Sequence, residues 1–157
     1  MKREKVIAIL RFYRDVEKSV KLNERVIKNL EDQYYTTLGA VNSDGMPHSK
    51  GVVSSPVERV VLNIPRSVVN TIDSLNRENA KLEKIKAEIL SELNRLNYHE
   101  RAVVLGFYIE GLQWEQISER VNYSPRQGRN IRDNALDRLE KHFGQNTTVS
   151  RFRFPEK

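Results

Sequence analysis

Residues 123–140 read YSPRQGRNIRDNALDRLE. A serine and a proline open the stretch, arginines alternate with amides, and leucines follow. Ser124 suits the N-cap of a helix, because its hydroxyl can accept one of the backbone N–H groups that a first turn leaves unpaired. Pro125 at the first helical position loses nothing by lacking an N–H. From there Ile131, Ala135, Leu136 and Leu139 recur at helical spacing and define one apolar side. On a helical wheel Arg126, Asn130 and Asp133 lie roughly opposite that side, flanked by Gln127 and Arg129. The polarity is therefore graded, with Arg, Gln, Arg and Asn at the front and Asp133 and Asp137 further back.

That gradient has a chemical meaning. A helix that enters a DNA major groove touches bases mainly with its N-terminal turns. There Arg can bond guanine through two hydrogen bonds, and Asn or Gln can do the same to adenine. The helix N-terminus adds free N–H groups and partial positive charge for a phosphate. Two short helices precede it. NYHERAVVLGFYIEG stops at Gly111, and LQWEQISERVN stops at Asn122, a residue type that tolerates the left-handed closing conformation. Trp114, Ile117 and Val121 fall at spacings of three and four and face neighbouring helices. Asn122 and Tyr123 form a short turn into the last helix, so the segment has the layout of a helix-turn-helix. Arg126, Gln127, Arg129 and Asn130 are the expected base-reading residues, with Ser124 and Arg132 placed for phosphate. The plain alternative is a three-helix bundle whose arginine-rich face is only solvated.

Working outward, residues 2–33 carry Val6, Ile9, Tyr13, Val16, Val20, Asn23, Ile27 and Leu30 at alternating spacings of three and four, a heptad seam. A second seam runs from Val68 through Ile72, Leu75, Asn79, Leu82, Lys86, Ile89 and Leu93 to Leu96. Pro65 precedes it and Ser67 is the expected N-cap. Asn23 and Asn79 each need a polar partner and would set register, while Lys86 argues against a fully dry dimer seam. The two helices can fold back on each other or pair with a second chain, and the pattern suits either. Tyr34 and Tyr35 end the first helix in this reading. The connector 34–66 carries turn signals at Asn42, Asp44-Gly45 and Met46-Pro47. Its run VERVVLNI suits a short strand or a helical turn. The tail SRFRFPEK alternates Arg151 and Arg153 with Phe152 and Phe154, which suits phosphate or protein contact, a docked strand, or disorder.

The expected architecture is all-α. A long N-terminal helical hairpin or coiled coil (1–97, with helices 2–33 and 67–97) serves oligomerisation. A helix-turn-helix module (98–143) and a basic tail (144–157) follow. Composition narrows the function. The chain of 157 residues has no cysteine and three scattered histidines, which excludes thiol chemistry and a dense metal cluster. His48, beside Ser49 and Lys50, has no nucleophile elbow or phosphate-cradling glycine loop around it. Neither an enzyme nor a cofactor is expected. No apolar run approaches membrane-spanning length, so a cytoplasmic protein is expected. The net charge is +6. More telling is its local distribution, since Arg120, Arg126, Arg129 and Arg132 occur with no acid between them.

The run from His99 to Lys141 resembles region 4 of sigma-70-type transcription factors, which reads promoter DNA through a helix-turn-helix. The matching skeleton is Glu100-Arg101, Tyr108 to Gly111, Ile117, Ser124, Ile131, Ala135-Leu136 and Leu139. Where that family carries a β-branched residue this chain has Gly128, which implies a lost packing contact between the two short helices. The connector GAVNSDGMPHSKGVVSSPVERVVL, a seamed helix and a sigma-like module together resemble the phage-encoded regulators of the RinA and ArpU type in Gram-positive hosts. That resemblance implies activation of late phage genes in the bacterial host cytoplasm. The expected partners are double-stranded DNA, further copies of the chain with a dimer preferred, and host RNA polymerase. Nothing resembles sigma region 2. Two other functions suit the same layout: a small terminase-like packaging subunit, and a protein-interaction module that acts on host RNA polymerase.

Overall fold

In a computed structural model the structure describes the backbone of residues 1–41 and 64–155, and the side chains of residues 1–34 and 64–155. The turn signals of the connector and nearly all of VERVVLNI lie outside the described residues. The fold is all-α, and the described residues contain no strand. Helix α1 spans Arg3–Val41 and α2 spans Arg66–Asn94. Helix α3 covers Tyr98–Val104, a π-helical segment covers Leu105–Glu110, and α4 covers Trp114–Val121. Helix α5 is Pro125–Gln145 and α6 is Thr147–Arg151.

Several boundaries differ from the sequence expectation: α2 ends at Asn94 rather than 97, and α5 runs to Gln145, past the expected module end at 143. Helix α1 does not stop at residue 33 but continues through Tyr34 and Tyr35 to Val41. The first proline after the helix start is Pro47. The first glycine, Gly39, costs about 1 kcal/mol of helix propensity and does not force a stop. Helix α2 begins immediately after Pro65, whose carbonyl accepts the N–H groups of Val68 and Val69 at 2.9 and 3.2 Å. Ser67 therefore lies inside the first turn, where its carbonyl accepts the Thr71 hydroxyl at 2.9 Å, and it is not the N-cap.

The chain forms two compact units, one of residues 1–19 with 81–157 and one of residues 20–80. In the first, the main core joins Val6, Ile9 and Leu10 of α1 to Ile85, Ile89 and Leu93 of α2. Ala135, Leu136, Leu139 and Phe143 of α5 and Val149 of α6 complete it. Full burial of a Leu, Ile, Val or Phe side chain contributes about 1.5–3 kcal/mol, so this cluster anchors α5 along its apolar stripe. A smaller core of Val103, Ile117 and Val121 joins α3 to α4, with Phe107, Trp114 and Ile131 packed against it. Asn97 caps α3, accepting the Glu100 N–H at 2.9 Å, while the Glu100 carboxylate accepts the Asn97 N–H at 3.3 Å. Glu100 is buried and also accepts Arg138 at 3.1 Å.

The tail is a docked helix followed by an aromatic cluster. Asn146 accepts the N–H groups of Thr148 and Val149, both at 3.1 Å. Its amide donates to Glu88 and Glu92 of α2 at 3.0 and 2.9 Å. Burial pushes the Glu92 carboxyl up, and the bonds from Asn146 and Arg95 outweigh that push and hold it below the ordinary carboxylate value. Phe152 and Phe154 lie 5.4 and 5.1 Å from Phe12, ring centre to ring centre.

Within residues 20–80, Asn23 of α1 donates its side-chain amide to the Asn79 side-chain oxygen of α2 at 2.8 Å. The two seam asparagines thus satisfy each other within one chain. Replacing Asn23 alone with Leu should lower stability by about 1 kcal/mol, because Asn79 is then left without its partner in a part-buried seam. Replacing both with Leu should recover most of that loss. Urea unfolding of the single and double variants measures this, and simple additivity of the two losses would show that the pair is not coupled.

Candidate nucleic-acid interface

The interface is assembled from the π-helical segment, α4 and the front of α5. Gly106 is buried, and a Cβ there would stand 3.3 Å from Ile117 of α4, so the missing side chain lets α4 approach closely. Gly111 closes the segment with φ 71°, a left-handed conformation that favours glycine. Helix α4 opens with the Gln113 N–H donating to the Gln116 side-chain oxygen at 2.9 Å. It ends on Asn122, the expected left-handed closing residue, at φ 57° and ψ 38°. Ser124 caps α5 by accepting the Gln127 N–H at 3.3 Å, and Pro125 takes the first helical position. Cap, proline and left-handed closure all stand where the local residues direct them.

The front of α5 bears four exposed polar side chains: Arg126, Gln127, Arg129 and Asn130. Among the described residues Arg126, Gln127 and Asn130 have no side-chain hydrogen bond or ion pair. Arg129 lies over the Trp114 ring, 5.3 Å from its centre. Such a contact is an attraction between the cation and the electron-rich face of the indole. Ser124 is exposed and occupied in its capping bond.

The other two arginines of the acid-free run are engaged. Arg120 forms two bonds to Glu110, at 2.6 and 2.8 Å. The hydrogen bond from Arg120 holds the Glu110 carboxyl below its ordinary value, despite a smaller opposing push from burial. Arg132 is a quarter exposed and donates to the Asp133 carboxylate at 2.8 and 3.0 Å. It lies 5.5 Å from the Trp114 ring centre and 5.8 Å from that of Phe107. Unlike Arg126, Gln127 and Asn130, it is held by both an acid and aromatic rings.

The two acids further along α5 also have a partner. Arg3 of α1 bonds the Asp137 carboxylate at 2.6 Å and comes within 3.9 Å of Asp133. Asp133 and Asp137 are thus offset by a cation from the start of the chain, and Arg126 and Arg129 are left without an acidic partner among the described residues.

Gly128 differs from its expected effect. It is buried, and a Cβ at this position would stand 3.3–3.4 Å from the Trp114 ring. The glycine does not lose a packing contact between α4 and α5, because the indole fills the place of the absent side chain. Phe107 stacks on the other ring partner, with centroids 4.8 Å apart and planes at 26°. This ring pair and Arg3 are the parts that sequence reasoning missed. An interior glycine together with the single tryptophan of the chain was the available signal for the first. No local signal marks Arg3.

Comparison with protein families, curated proteins and solved structures finds no match to this chain.

Two outcomes follow from this geometry. Gly128→Val should lower stability by about 1–3 kcal/mol, because the added carbons meet the indole. Adding Trp114→Leu should recover part of the loss, measured by urea unfolding; an undisturbed Gly128→Val protein would mean that the ring does not constrain the site. The Glu110 carboxyl has a depressed value in the folded protein. Its pairing therefore contributes stability above the ordinary Glu value of 4.5, and that contribution is lost as pH falls through the lower folded value. In Glu110→Gln this part of the acid-dependent loss should disappear from thermal melts taken down the same pH range.

Proposed function

We propose that the protein is a sequence-specific DNA-binding regulator of transcription, in which the front of α5 enters the major groove. The observation that carries the reading is the state of four side chains. Arg126, Gln127, Arg129 and Asn130 are exposed on the first turns of a capped helix with no acid bound to them. A helix of about 10–12 Å diameter fits a major groove about 12 Å wide. In this reading Arg126 and Arg129 take guanine or phosphate, Gln127 and Asn130 take adenine edges, and the front of α5 sits against the sugar-phosphate backbone near Ser124. Arg132 supplies positive potential from beside the aromatic pair. The Arg3 bridge supports the reading from the other side, since it offsets the Asp133 and Asp137 charges that would repel phosphates.

The finer function is a phage late-gene activator that works as a homo-oligomer, with a dimer preferred, beside host RNA polymerase. It rests on the resemblance of the module to sigma region 4 and of the whole layout to the phage regulators. Leu22 and Val26 stand one turn apart on α1 with 60% and 38% exposure, and they offer an apolar contact for a second copy.

Selection of duplexes from a random pool should return a defined motif, with two related half-sites if a dimer binds. Arg126→Ala should weaken binding to that motif by about 1–3 kcal/mol at fixed salt. Retention of no duplex would sink the DNA reading, and unchanged affinity in Arg126→Ala would remove that residue from the contact. Mass measurement separates the regulator from a packaging subunit, for which a closed ring of many copies is expected.

A further inference from the structure

We infer that Trp114 is the positioning residue of this interface, its indole holding the Arg129 guanidinium in one attitude so that selectivity among bases depends on a ring that carries no charge. The inference rests on the duplex-binding reading above. Arg129 stands 5.3 Å from the ring centre. The ring itself has little freedom. One side meets the backbone of Gly128 at a distance that a Cβ would make tight. Phe107 stacks on it at 4.8 Å. Arg132 also lies over it, and is tied to Asp133 at 2.8 Å. A platform held by three neighbours transmits that order to a long side chain that would otherwise sample many rotamers.

The consequence is specific. Ordering a free arginine on binding costs a factor of about 3–10 in affinity. That cost falls on contacts that need one geometry, such as paired bonds to a base edge. It falls far less on contacts to phosphate, which a mobile guanidinium makes from many positions. Loss of the ring should therefore reduce selective binding and spare non-selective binding. A ring that serves only to pack the smaller core would affect both alike. Trp114 is half-buried rather than enclosed, which leaves part of the ring open to the Arg129 guanidinium.

The test uses the full chain, a duplex obtained by selection, and a scrambled duplex of equal length, each across a range of salt concentrations. Trp114→Leu should lose about 3- to 10-fold on the selected duplex. Its affinity for the scrambled duplex and its salt slope should be unchanged. Trp114→Phe should retain most of the selectivity, because an aromatic face remains under the cation. Parallel loss on both duplexes, or unchanged selectivity in Trp114→Leu, overturns the inference alone. Retention of no duplex by the unaltered protein overturns it together with the DNA reading. Trp114 is the one tryptophan of the chain, so its emission reports the contact directly and without DNA. Arg129→Ala should change that emission, and an identical spectrum overturns the inference even where Trp114→Leu fails to fold.

Discussion

A Cβ at Gly128 would stand 3.3–3.4 Å from the Trp114 ring, so a glycine at this position lets α4 and α5 approach closely. The smaller core beneath these helices holds three fully packed aliphatic residues, Val103, Ile117 and Val121. Such a cluster positions two short helices only if their approach is also fixed sterically, because interiors tolerate neither voids nor overlap. The indole provides that steric limit, and the Arg129 and Arg132 guanidinium groups lie over its ring. One contact thereby links packing of the module to the orientation of its charges.

Charge on α5 is divided by the fold rather than by composition. The helix carries both signs, and an isolated helix would present both to solvent. In the folded protein Arg3 takes the acids, Asp133 takes Arg132, and Glu110 takes Arg120. Two arginines and two amides remain on the front turns. The N-terminal helix therefore contributes to the electrostatic field of the C-terminal module, although 130 and 134 positions separate Arg3 from Asp133 and Asp137 in sequence.

The long helices show how much and how little a heptad pattern says. Every seam position of α1 described by side chain is buried or half-buried, and so is every position of the α2 seam. The pattern is equally consistent with a chain that folds back and with one that pairs with a copy of itself. Within this chain the hydrogen bond between Asn23 and Asn79 joins the two seams. It also explains why two polar residues can occupy seam positions at little cost, since each is the partner of the other.

Features legible in the sequence share one property, that donor, acceptor or steric cause lies within about one helical turn. Ser124 with Gln127, Pro125, the left-handed Gly111 and Asn122, and the apolar periodicity of α5 are all of this kind. The start of α2 lies ahead of Ser67 because the helix begins directly after Pro65, whose carbonyl accepts the first N–H groups. Helix α1 runs past residue 33 because no glycine or proline occurs before Gly39. What the tertiary structure alone decided depends on groups more than two helical turns apart in the chain: the Arg3 bridge, the pairing of Arg120 with Glu110, and the meaning of Gly128. A glycine inside a helix looks like a loss of propensity until the side chain that rests on it is known, and no periodicity names that side chain.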